Sequence, residues 1–296
     1  MPRTPLGGET GNVKNLCFST VVNEAYQEYI PLFVLYALRA YPQSEVLIHF
    51  QGSLHPIVSE CLESLESEGR FHIEPILVEI PPENVQALKA LRYLIYADSF
   101  ADFEYVYIGD IDLVIVAEEV DLVSHHAAQC AASGLPYSNR VRTGTKRLTG
   151  LHFVRSKDYF APLRPLMKKN LDRIVRNEFE GSNEELLYEM MRDCFGLPPR
   201  SNKRPHHGIH LRAWKAGPTR ISDMEPDLQS STRKYAEAFL TAARDPLCQQ
   251  ILQRLGEIPG RNGGGEIDAA KPPIAVEQFR HAVLACEELK TDRPDP

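Results

Sequence analysis

The sequence predicts an α/β sandwich built on a mostly parallel sheet, and three observations lead there. Between residues 15 and 115, short β-branched and aromatic runs alternate with longer stretches of helical apolar spacing. Such alternation is the pattern of βαβ units, whose strands run parallel and whose helices cover both faces of the sheet. One run, Tyr105-Val106-Tyr107-Ile108, ends in Gly109-Asp110-Ile111-Asp112, so two carboxylates stand where a parallel sheet opens toward ligand. Finally, 296 residues suffice for one large core with a smaller appendage.

The elements follow in order. Residues 16–22 read as the opening strand. In 26–41, Ile30, Phe33, Val34, Ala37, Leu38 and Tyr41 recur at helical spacing, and Pro31 belongs to the first turn. A strand over 45–50, a helix over 55–67 and a strand over 71–80 come next, the last ended by Pro81-Pro82. Asn84 can cap a third helix that carries Val85, Leu88, Leu91 and Ile95 along one side. The strand over 104–108 then delivers the two aspartates. Beyond Val120 the pattern loosens to a strand over 148–155 and helices over 161–177 and 183–194. Residues 231–253 and 275–289 read as helices, with a Gly- and Pro-rich stretch between them. The expected organisation is a catalytic domain over 1–222 and a helical C-terminal extension over 223–296, with a linker near 258–273.

Composition narrows the function. The net charge of −7 argues against a general nucleic-acid binder, which usually carries a basic surface. No apolar run approaches the length that spans a bilayer, and residues 1–12 lack the apolar core of a signal peptide. Six cysteines are scattered without C-x-x-C spacing, so neither a zinc site nor a disulfide framework is expected. A cytoplasmic protein, soluble or peripheral to a membrane, fits these features.

Two carboxylates inside a strand would be costly, because desolvated charge needs a partner. At a strand end they can share a divalent cation, and oxygen ligands suit Mg²⁺ or Mn²⁺. Asp110 and Asp112 are therefore read as a metal and nucleotide-diphosphate site, with Gly109 permitting close backbone approach. His206, His207 and His210 flank Gly208, and neutral imidazole is a common ligand for Mn²⁺. One histidine would complete a mixed oxygen and nitrogen set, with His207 the first candidate and His210 the second.

The order of these features resembles nucleotide-sugar glycosyltransferases of the GT-A type, most of all the families related to glycogenin and the bacterial galactosyltransferases. Cys17-Phe18-Ser19-Thr20 with Asn23 and Tyr26 is similar to the opening strand and helix that hold nucleobase and ribose. Leu91-Arg92-Tyr93 stands where an arginine contacts the donor, and Gly109-Asp110-Ile111-Asp112 matches the D-x-D motif. Thr149-Gly150-Leu151-His152-Phe153 resembles the strand beside the donor sugar. Asn183-Glu184-Glu185 stands where an acidic or amide trio opens a helix, and the segment from His207 to Lys215 resembles the closing one. The resemblance covers residues 15–215 and departs in the spacing of the closing segment and in Glu184, where an amide is frequent.

The resemblance implies a single GT-A, Rossmann-like α/β/α sandwich and metal-dependent transfer of a sugar from a nucleoside diphosphate to a hydroxyl. It implies UDP as the nucleotide and Mn²⁺ or Mg²⁺ as the ion, held by Asp110, Asp112 and His207 or His210. Thr20, Asn23, Tyr26, Arg92, Ile111, Arg212 and Lys215 would contact the donor, and Glu184 or Glu185 would serve as base or nucleophile. A nucleotidyltransferase is the rival enzyme, though residues 18–26 lack the glycine and basic residue of a phosphate loop. A catalytically silent nucleotide-sugar-binding scaffold or subunit is the alternative of another class. The acceptor, whether glycan, lipid-linked or protein, is not legible.

Overall fold

The computed structural model describes residues 14–78, 80, 84–199, 207–214, 226–261, 267–268 and 271–291. Strand β1 (Lys14–Asn23) passes through a 3-10 turn (Glu24–Tyr29) into helix α1 (Ile30–Ala40). There Pro31 lies in the first turn, where its missing N–H costs no hydrogen bond. Strand β2 (Glu45–Gln51), helix α2 (Pro56–Glu63) and strand β3 (Arg70–Pro75) follow. The Asn84 side chain accepts from the Ala87 amide and starts α3 (Val85–Leu91). A second 3-10 turn (Asp98–Asp102) leads to β4 (Phe103–Ile108) and the two-residue β5 (Leu113–Val114).

Next come α4 (Leu122–Ser133), β6 (Tyr137–Ser138), β7 (His152–Arg155), α5 (Ser156–Val175) and α6 (Asn183–Cys194). A second two-residue strand, β8 (Ile209–His210), runs into a 3-10 turn (Leu211–Trp214). The chain then forms α7 (Pro226–Ala243), α8 (Pro246–Leu255), β9 (Gly260–Arg261), β10 (Ile267–Asp268) and α9 (Ile274–Thr291).

The main sheet has the order β3-β2-β1-β4-β7-β6. Its first four strands are parallel, and only β7 runs against its neighbours. Side chains alternate across it: Phe18 enters one core with α1 and α2, while Cys17 enters the other with α3, α5 and α6. This is the expected α/β/α sandwich with a mostly parallel mixed sheet. Helices α7, α8 and α9 bury Phe239, Ile251 and Phe279 in the same core as α1. The stretch read as a linker contains the β9–β10 pair, and Gly260 N–H donates to Lys271 O at 2.9 Å.

Some boundaries differ for physical reasons. Helix α3 stops at Leu91, so Arg92 caps its C-terminus rather than interrupting its middle. Helix α5 starts at Ser156, five residues before the expected 161, and carries Pro162 and Pro165 inside it. Helix α4 escapes the sequence pattern because its buried stripe is Leu122, His126 and Cys130, only partly apolar.

Candidate metal and nucleotide site

The site is built at the carboxyl end of β4. The parallel register of β1 and β4 sets Ser19 beside Ile108, and Gly109 N–H donates to Ser19 O at 3.0 Å. The Thr20 hydroxyl donates to Gly109 O at 3.0 Å, which pins the backbone just before the first aspartate. Leu113 N–H then donates to Asp110 O at 3.3 Å and closes a four-residue turn. That turn brings both carboxylates to one side.

The third member arrives on β8, which pairs antiparallel with β5 so that His210 lies opposite Leu113. Leu211 N–H donates to Asp112 O at 2.8 Å and extends the ladder by one bond. Gly208 makes this approach possible: its φ is +78°, and a Cβ there would fall 1.7 Å from Val114 O. As a result one ligand atom from each of Asp110, Asp112 and His210 lies within 4.8 Å of the others. His210 Nδ1 is 3.8 Å from Asp112 Oδ1.

Cations surround the group. Arg92, buried at the end of α3, forms an ion pair through Nη1 with Asp110 Oδ1 and reaches Gly109 O at 3.4 Å. Asp110 Oδ2 lies over Gly150, where a Cβ would be only 2.8 Å away. Burial alone would raise the Asp110 carboxyl, but Arg92, His210 and Lys89 outweigh it and hold the group at about 2. Lys89, half-buried one turn before Arg92, has its ammonium lowered first by burial and then by Arg212, with Asp110 and Asp112 opposing. Arg212 itself is exposed on the turn after β8.

The predicted residues divide clearly. Asp110, Asp112, His210, Arg92 and Arg212 share one neighbourhood. Tyr26 stacks on Tyr29 with ring centroids 6.2 Å apart, and Tyr29 is raised by burial and then by Asp112, so both tyrosines border the site. Asn23 ends β1 with its Oδ1 buried and without a hydrogen-bond partner among the described residues. Ile111 packs half-buried against the core. Lys215 and His206 lie outside the described residues.

His207, the first candidate ligand, requires correction. It is fully buried, its Nδ1 pairs with Glu118 and its Nε2 lies 2.9 Å from His126 Nε2, so neither nitrogen is left for a cation. Glu184 is buried at the start of α6 and bridges Arg142 at 2.6 Å and Arg147 at 2.9 Å. Glu185 instead caps its own helix: its Oε2 accepts from Ser182 N–H at 2.8 Å. Both acids are thus occupied by partners within the protein.

Sequence reading missed Lys89 and the placement of Gly150. Lys89 was detectable, since it stands three residues before Arg92 and shares its helix face.

No protein-family model matches the chain, and no curated protein matches it. Solved structures do. The apo form of the glycosyltransferase GlyE from Streptococcus pneumoniae TIGR4 is 12% identical, with 62% of this chain and 45% of that chain covered at a TM-score of 0.41. A second GlyE structure is 11% identical over 95% of this chain and 63% of that one, at a TM-score of 0.45. The galactosyltransferase LgtC, solved with donor and acceptor sugar analogues, is 12% identical over 58% of this chain and 69% of that one, at 0.38. The chain thus spans between about half and two-thirds of the length of the GlyE structures. Each is a likeness to a solved glycosyltransferase structure at low identity and a TM-score below 0.5.

Proposed function

We propose that the chain is a metal-dependent glycosyltransferase that takes a sugar from a nucleoside diphosphate, UDP by preference, to a hydroxyl acceptor. The observation that carries this reading is the Asp110–Asp112–His210 group at the end of β4, ringed by Arg92, Lys89 and Arg212. Two carboxylates and one imidazole form a mixed oxygen and nitrogen set that suits Mn²⁺ or Mg²⁺, with Mn²⁺ favoured by the imidazole. The bare backbone at Gly150 leaves the room that such a group needs beside Asp110 Oδ2.

Asp110, Asp112 and His210 would hold a divalent cation, which would supply Lewis-acid stabilisation to a departing diphosphate. The remaining work belongs to the protein. Arg92 holds Asp110 ionised and oriented at low pH, so the carboxylate is ready without a proton to lose. Lys89 and Arg212 contribute positive charge where the leaving group gains negative charge. Asn23 at the end of β1 and Tyr26 in the turn after it are assigned to the nucleoside, and Thr20 acts beneath them by fixing the Gly109 carbonyl. Glu184 acts as the counter-charge of two arginines, rather than as the base expected from its position.

The test is turnover of a panel of nucleotide sugars with Mn²⁺, read as release of free nucleotide, for wild type and Asp110→Asn. Turnover by the wild type that vanishes in the variant supports transferase chemistry. Equal turnover by the two would remove Asp110 from it.

A further inference from the structure

The closing segment does more than present His210. His207 stands three residues earlier, on the other side of the left-handed bend at Gly208, whose φ is +78°. His210 faces the aspartates, while His207 points into the protein and is fully buried. Its Nδ1 meets the Glu118 carboxylate, and its Nε2 lies 2.9 Å from His126 Nε2 on α4. His126 Nδ1 is in turn 2.7 Å from the Ser138 hydroxyl on β6, which donates to Gln129 Oε1. Glu118 Oε2 accepts from Lys234 and from the Tyr235 hydroxyl of α7, each at 2.7 Å. Four separate parts of the fold therefore grip one imidazole.

Buried polar groups in this number are costly unless all are satisfied, and a satisfied network favours one geometry strongly. Here the geometry defined is that of the backbone leading into Gly208. Gly208 runs so close to β5 that an added Cβ would meet Val114 O, and the next two residues pair with Val114 and Leu113, so the seat of His207 and the register that brings His210 to Asp112 are joined through Gly208.

We propose that Glu118, His207, His126 and Ser138 form a positioning chain that sets His210 in the metal group, with Lys234 and Tyr235 of α7 closing its Glu118 end. The inference rests on the metal reading above and gives the helices after residue 222 a part in the site: α7 completes the support of a ligand it does not touch.

The test measures Mn²⁺ affinity of the full chain by electron paramagnetic resonance, alongside Tm. His207→Ala is expected to weaken Mn²⁺ binding by roughly ten-fold, the scale seen when the support of a metal ligand is removed. Tyr235→Phe deletes a single hydroxyl at the far end, folds even if His207→Ala does not, and is expected to weaken binding too, by less than His207→Ala. Tyr36→Phe is the control, since it removes a buried hydroxyl bonded to Cys248 at 3.5 Å in the same core but away from the chain. It lowers Tm and leaves Mn²⁺ affinity as in the wild type. Variants of the chain that lose Tm yet bind Mn²⁺ normally would overturn the inference, as would equal weakening in Tyr36→Phe. Absence of binding in the wild type would overturn the metal reading first and this inference with it.

Discussion

Gly150 and the carboxylate of Asp110 compete for one volume: a Cβ on residue 150 would lie 2.8 Å from Asp110 Oδ2 and 3.0 Å from Arg92 Nη2. The segment leading into β7 therefore passes the site without a side chain at residue 150, and the Arg92–Asp110 pair occupies the space one would take. Gly150→Ala is expected to displace that pair and weaken Mn²⁺ binding about ten-fold, with Tm nearly unchanged because the displaced atoms are side-chain tips. Calorimetric Mn²⁺ titration checks it. Wild-type affinity in Gly150→Ala would show that the pair moves freely.

Gly208 is a harsher case. Its φ of +78° strains any other residue, and the atom its Cβ would strike, Val114 O at 1.7 Å, belongs to the backbone. Gly208→Ala must separate β5 from β8, at a cost on the order of 2 kcal/mol or more. A Tm several degrees lower, together with loss of Mn²⁺ binding, is the expected result in thermal and metal titrations.

Glu184 distinguishes two accounts of α6. As a catalytic base, its replacement by Gln would abolish kcat and spare stability. As the partner of Arg142 and Arg147, both partly exposed, the same change costs on the order of 1 kcal/mol of stability. Glu184→Gln is expected to lower Tm and retain a measurable kcat, and pairing it with Arg147→Met should recover part of the Tm. A variant with native Tm and no turnover would restore the base.

Stability should also depend on pH through His49, which lies in β2 against the edge of Phe100. Burial lowers its imidazole from 6.5 to about 4. The folded state therefore holds fewer protons there than the unfolded chain, so this contribution is complete above pH 6.5 and drains away as pH falls through about 4. Its full size is on the order of 3 kcal/mol. Denaturant unfolding across that window should show wild type losing stability more steeply than His49→Gln; parallel curves would exclude His49 as the cause.

Much of this was open to sequence reading. Strands β1 to β4 alternate with helices clearly enough to place Asp110 and Asp112 at the carboxyl end of β4. Past Val120 the signal fails for identifiable reasons. Helix α4 buries His126 where periodicity expects an apolar residue, and α5 begins at Ser156, before the predicted start. The choice between His207 and His210 depends on where the chain on each side of Gly208 lies, a tertiary fact set by the Leu113–His210 register. Glu184 and Glu185 look alike at a helix start, but one meets Arg142 and Arg147 from a distant loop while the other closes a capping box.

The central claim is that Asp110, Asp112 and His210 hold a cation for a nucleoside diphosphate. Its most direct test is calorimetric titration of UDP, GDP and CDP into the full chain, with Mn²⁺ and again with EDTA, for wild type and Asp112→Asn. The account predicts one nucleotide, UDP, binding at about micromolar strength with Mn²⁺ only, and no binding by Asp112→Asn. Failure of all three nucleotides to bind, or binding indifferent to EDTA and to Asp112, would contradict it.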